Sequence, residues 1–248
     1  MVIDDLIVLA RSVPEVRKDG RHTVCVAGHS PTHGMIRLYP ARHDAPLNVW
    51  NVVRVEVERN PQDTRHESWK IVGSKNDWEN LNTKIRVVGV LAKPERIPLV
   101  ERLVSPCVQT LNQQHNSLGV IRPVVHGVYF GENRSYYRAH TPMFEPLVPS
   151  GLRTKRDFEM EPRIRYVCGA DCKSQKPHDQ QLLEWGCYQY IKKNPDRPGD
   201  IWQNLHITDP QYNVYFVVGN QENQRTSYMV IGVVRQKMRK LQSTGGNR

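Results

Sequence analysis

The chain has 248 residues, 38% hydrophobic and 24% charged, which is enough apolar content for a folded protein with a real core. Lys and Arg number 35 against 25 Asp and Glu, a formal charge of +10 that makes a polyanion, nucleic acid first, the natural partner. No apolar run reaches the roughly 18–20 residues of a membrane-spanning helix. Asp4 and Asp5 precede Leu6–Ala10 where an export signal would carry positive charge, so a cytoplasmic protein that meets no membrane is expected.

The first third reads as strands and turns. His22–Gly28 and Gly34–Tyr39 have strand character, and Asn51–Glu58 alternates Val53, Val55 and Val57 with Arg54, Glu56 and Glu58. Asn60-Pro61 interrupts the pattern and His66–Val72 resumes it. Asp77–Lys84 is expected as a short helix and Ile85–Leu91 as a strand. Residues 1–104 therefore form a β-rich module, a small antiparallel sheet or partly open barrel.

Residues 105–160 read as a bridge. Ser105-Pro106 supplies an N-cap and a proline at the first helical position, which puts Cys107 in the first turn of a helix to about His115. A strand at Pro123–Phe130, a turn at Gly131-Glu132-Asn133 and a proline-rich connection over Thr141–Pro162 follow. Residues 161–248 read as a strand–helix–strand–strand module. Its strands are Arg163–Val167, Tyr212–Gly219 and Ser227–Arg235, and its helix runs from an Asp179 cap to about Lys193. The fold class is α+β.

Clustered cysteines carry the sharpest chemical signal. Cys168-x3-Cys172-x5-His178 places three metal-ligand types in one short segment, and tetrahedral zinc needs a fourth. If His178 began the helix, Cys187 would lie nine residues on, about 180° around and about 13.5 Å along, too far to share an ion. Cys107, at a helix start that favours a thiolate, is the competing fourth ligand. Zinc would take Cys168, Cys172 and His178 with Cys107 or Cys187, whereas a 4Fe–4S cluster would take the four thiols Cys107, Cys168, Cys172 and Cys187.

Tyr129, Phe130, Arg134, Tyr136, Tyr137, Arg138 and His140 interleave aromatic rings with cations, a pattern suited to stacking on bases and meeting phosphates. Arg235, Lys237, Arg239 and Lys240 form the cleanest positive run. The expected nucleic-acid contacts are Arg134, Tyr136, Tyr137, Arg138, Lys237, Arg239 and Lys240; the alternatives are a nucleic-acid-processing enzyme, either a nuclease or an iron–sulfur-dependent modification factor, and a basic module that meets an acidic protein partner. Asp63-x3-Glu67-x2-Lys70 echoes metal-dependent nucleases, but Glu67 and Lys70 would face opposite sides of a strand. His29-Ser30-Pro31-Thr32-His33 brings no acidic partner in sequence and reads as a turn.

Arg37-Leu38-Tyr39-Pro40, Asp63-Thr64-Arg65-His66-Glu67-Ser68, Ser117-Leu118-Gly119 and the Cys168…His178…Glu184-Trp185 module together resemble a family of uncharacterised bacterial proteins. The resemblance implies that both halves of the chain work as one unit, and it attaches no activity to any residue.

Overall fold

A computed structural model describes residues 1–139, 152–169, 172, 174 and 176–238. In its first unit, β1 (Val2–Arg11), β2 (Glu15–Val16), β3 (His22–Ser30), β4 (Gly34–Arg42), β5 (Asn51–Arg59), β6 (Ser68–Ile71) and β7 (Ile85–Val90) form one sheet. Five of these strands close a ring in the order β1–β3–β4–β6–β5 and back to β1; β4–β6 is parallel and the other pairs are antiparallel. A three-stranded meander, a fourth strand returning to the first and a fifth lying parallel to the third is the connectivity of an OB-type barrel. The expected partly open barrel is thus observed.

Local chemistry explains the ring. Val53, Val55 and Val57 of β5 are fully buried inside the barrel, and Arg54 and Glu58 point to solvent as alternation requires. In β1 the register with β5 shifts between Ile3 and Leu6, leaving Asp4 free to pair with Arg54 and Asp5 to accept from Ser30 and Thr32. Beyond that irregularity Leu6 and Val8 enter the barrel core, whereas Ile7 and Leu9 enter a second core outside it.

That second core lies between the barrel and a sheet in the order β13–β12–β8, made of β8 (Leu118–Ile121), β12 (Tyr212–Gln221) and β13 (Gln224–Lys237). α1 (Lys93–Arg102) packs beside it through Leu99 and Val100. Tyr215 and Val217 face the barrel, and Phe216 and Val218 face the opposite way into a third core. There they meet a sheet of β9 (Val124–Glu132), β10 (Met160–Val167) and β11 (His178–Gln181), with α2 (Val108–Gln113), α4 (Trp185–Lys193) and α5 (Asp200–Leu205). α3 (Arg134–Ala139) follows β9. The middle sheet is buried on both faces, which is why Val214–Val218 is a continuous apolar run and not an alternating one.

Three expectations are corrected. Asp179 caps no helix: it lies in β11 opposite Arg165, and the helix starts at Trp185 behind Glu184, whose carboxylate accepts from Cys187 N at 2.6 Å. Within Asp77–Lys84 only Leu81–Lys84 is helical, as a 3-10 turn. Cys107 itself, not Ser105, is the N-cap of α2, its sulfur accepting from Gln109 N at 3.4 Å.

A buried polar clamp ties the barrel to the middle sheet. Arg37 and Glu67, each 4% exposed, both bind Ser117. Arg37 donates to Ser117 O at 2.8 Å, and Glu67 accepts from Ser117 N at 2.6 Å, Ser117 Oγ at 2.8 Å and Leu118 N at 3.3 Å. Asp63 grips Arg65 through two bonds of 2.6 and 2.8 Å, and Arg65 donates to Asn220 O at 2.7 Å. Gly119 makes room instead for α2, because a Cβ there would lie 2.5 Å from the Leu111 side chain. Each fully buried Val or Leu contributes about 1.5–3 kcal/mol, so apolar burial supplies most of the stability and the clamp fixes how the layers meet.

Two outcomes follow from the clamp. Glu67→Ala strands three donors and should cost about 3 kcal/mol in urea denaturation; a loss under about 0.5 kcal/mol would contradict the assignment. Burial pushes the Asp63 carboxyl up, but Arg65 and Ser68 pull it further down, to about 2. A folded value below the ordinary 3.8 means that this stabilisation is complete above about pH 4 and fades as the pH falls toward 2. The stability gap between the wild type and Asp63→Asn should therefore narrow over that window; a pH-independent gap would refute the linkage.

Candidate metal centre

β10 delivers Cys168 one residue beyond its end, and Gly169 then turns the chain at φ +116°, a conformation that L side chains rarely adopt. Cys172 N closes that turn on Gly169 O at 3.2 Å. The chain returns in β11, where His178 lies opposite Tyr166. Cys107 arrives from the N-cap of α2. The ligand atoms of Cys107, Cys168, Cys172 and His178 all lie within 4.8 Å of one another.

Two edges of the group match those of a tetrahedral ion. Zinc–sulfur bonds of about 2.3 Å and zinc–nitrogen bonds of about 2.0–2.1 Å require edges of about 3.8 Å between sulfurs and about 3.6 Å from sulfur to nitrogen. Cys107 Sγ lies 3.7 Å from Cys172 Sγ, and Cys172 Sγ lies 3.5 Å from His178 Nε2. Burial lowers the His178 pKa, favouring the neutral imidazole that a metal takes. Burial also pushes the Cys168 thiol up, although the Val108 amide opposes it. At Cys172 burial acts upward too, but hydrogen bonds from the Cys168 and Ser174 backbones prevail and the net direction is down. A cation would stabilise the thiolate that burial opposes at Cys168. The Cys3His group can hold a metal ion.

Cys187 is not in the group. It is fully buried in α4, and burial raises its thiol well above the ordinary range. The four-thiol set expected for an iron–sulfur cluster is therefore not gathered, and His178, in β11 and not in a helix, lies in the group with Cys107.

The other sequence candidates scatter. Tyr129 accepts from Arg163 Nε at 3.2 Å and donates to Asp179 at 2.6 Å, with Arg165 over its ring. Arg134, Tyr136, Tyr137 and Arg138 lie on α3, begun by Asn133, whose side chain accepts from Ser135 N at 3.0 Å and donates to Lys155 O and Phe158 O at 2.7 Å. Tyr137 donates to Glu159 at 3.2 Å. Lys237 ends β13 in solvent; His140, Arg239 and Lys240 lie outside the described residues. Asp63, Glu67 and Lys70 do not converge: Glu67 is spent on Ser117 and Leu118, and Lys70 pairs with Glu58 at 3.2 Å. Ser30 has an acidic partner after all, Asp5 from β1, which with Thr32 makes a clasp across the turn.

OB-type barrels bind ligands on the face of their second and third strands and on neighbouring loops. Here those strands are β3 and β4, and the chain covers them itself. Ala27 and Met35 pack into the core shared with the middle sheet, Arg37 reaches Ser117, and the loop after β5 is clamped through Asp63, Arg65 and Glu67. A cleft of about 630 Å³ opens beside this joint and is lined by His33, Arg59, His66, Trp69 and Gln114 among others. Arg59 stacks 3.6 Å above the Trp69 ring.

One metal equivalent per chain is the expected stoichiometry. Cys172→Ser should lower the bound metal severalfold and Cys187→Ala should leave it unchanged, both read by elemental analysis of the purified chain. Equal metal loss in both variants, or none in either, would refute the ligand set.

Residues 3–100 match the family model of a domain of unknown function (DUF8758), which takes in the Arg37–Pro40 and Asp63–Ser68 segments but not Ser117–Gly119 or the cysteine module. No curated protein matches the chain. Among solved structures, one described as a murine DNA-binding protein bound with double-stranded DNA aligns over 97% of this chain and 98% of its own at 10% identity, with a TM-score of 0.29. Likeness at that level carries no argument. The chain is thus similar over its barrel to a domain family without an assigned function, and among its described residues no helix is long and apolar enough to cross a membrane.

Proposed function

We propose that the protein binds nucleic acid and that a zinc ion on Cys107, Cys168, Cys172 and His178 is a structural part of it. The observation that carries the metal half is the meeting of three sulfurs and one imidazole within 4.8 Å of one another, two of their separations matching tetrahedral edges. Three thiolates with a histidine favour zinc over a four-iron cluster, and four protein ligands leave no open position for a catalytic water. The ion would tie α2 to the turn between β10 and β11 and so hold the third core together.

The nucleic-acid half rests on the excess of cations. With +10 on the chain and the barrel's usual ligand face covered, binding falls to exposed basic groups elsewhere. Arg134, Arg138 and Lys237, which are exposed, would meet phosphates, joined by Arg239 and Lys240; Tyr136 and Tyr137 would stack on bases.

Affinity for a fluorescent oligonucleotide should fall linearly on a log–log plot against salt. For a single strand, Arg134→Ala, Arg138→Ala and Lys237→Ala together should reduce that slope by about 2. Binding that ignores salt, or is undetectable for both DNA and RNA, would overturn the reading.

A further inference from the structure

A second cleft, about 440 Å³, lies where the loop before β5, the start of α1 and the end of β13 meet. Its lining includes three cations, Lys93, Arg96 and Arg235, with Trp50 and the apolar Val49 and Ile97, and no acidic residue. Lys93 and Arg235 are exposed. Arg96 lies over the Trp50 ring at 5.2 Å and is steadied by a bond from Nε to Leu91 O at 3.1 Å. The carboxylate of Glu184 lies within electrostatic reach of Arg235, but it is half-buried and already accepts from Cys187 N.

Trp50 carries an independent signal. Its φ is +73°, a left-handed conformation that is a true outlier for a bulky L residue. Two backbone bonds hold it there, Trp50 N to Val8 O at 2.7 Å and Leu91 N to Trp50 O at 2.8 Å. Strain kept in place by the surrounding fold is a mark of a site where the side chain must be presented. An aromatic ring stacked with an arginine, rimmed by cations and apolar side chains, is complementary to a planar base joined to phosphate.

We infer that this cleft seats one nucleotide unit of a nucleic-acid strand, its base against the Trp50–Arg96 pair and its phosphates at Lys93 and Arg235. The inference rests on the nucleic-acid reading above and places the principal contact away from α3. Lys237, two residues beyond Arg235 on the same face of β13, extends the phosphate track.

The test is anisotropy of a labelled single-stranded oligonucleotide titrated with the full chain. Lys93→Glu with Arg235→Glu should weaken binding at least tenfold and lower the log–log salt slope by about 1.4. Lys18→Glu with Arg86→Glu makes the same change in net charge at exposed sites outside the cleft and should weaken binding less than threefold. Binding should also quench tryptophan emission, and Trp50→Phe should remove most of that quench. Wild-type binding that both charge pairs weaken equally, with a quench untouched by Trp50→Phe, would overturn the cleft and leave the nucleic-acid reading standing. Absence of binding by the wild type would remove both.

Discussion

Everything in this fold depends on a three-stranded sheet of β8, β12 and β13 that is buried on both faces. One face closes over the barrel and the other over the metal-bearing layer, so successive residues of β12 serve different cores: Tyr215 and Val217 one, Phe216 and Val218 the other. Apolar burial alone would tolerate sliding of one layer over the next. Arg37, Glu67 and Ser117 prevent it, because a misplaced layer would leave buried charges and amides without partners. Gly232 enforces the same contact sterically, since a Cβ there would lie 2.6 Å from that of Ala10.

This joint changes what the barrel can do. An OB-type connectivity invites a ligand on β3 and β4, but that face has become an internal interface. The packing creates other surfaces instead: a cleft beside the joint, another between Trp50, α1 and β13, and the Cys3His group on the far side of the middle sheet. The segments around Arg37, Asp63–Ser68 and Ser117–Gly119 meet at the joint. Their common role in this chain is architectural.

Much of this was legible where the signal was local. Val53, Val55 and Val57 announced β5, and Cys168, Cys172 and His178 announced their cluster by spacing. β1 carries no alternating strand signal, because an irregularity after Ile3 and burial on both faces erase it. α1 gives little helical signal because Pro94 and Pro98 depress it, although Pro94 sits in the first turn where its missing N–H costs nothing. Asp179 resembled a helix cap because capping and strand pairing use the same residue; Tyr129, Arg163 and Arg165 decide the matter from other strands. The parallel β4–β6 pair and the Trp50 cleft join distant segments and leave no periodic trace.

The most direct measurement is X-ray absorption at the zinc edge of the purified chain. The account predicts a first shell of three sulfurs at about 2.3 Å and one nitrogen at about 2.0 Å. A shell of four sulfurs, or of oxygen and nitrogen alone, would contradict it.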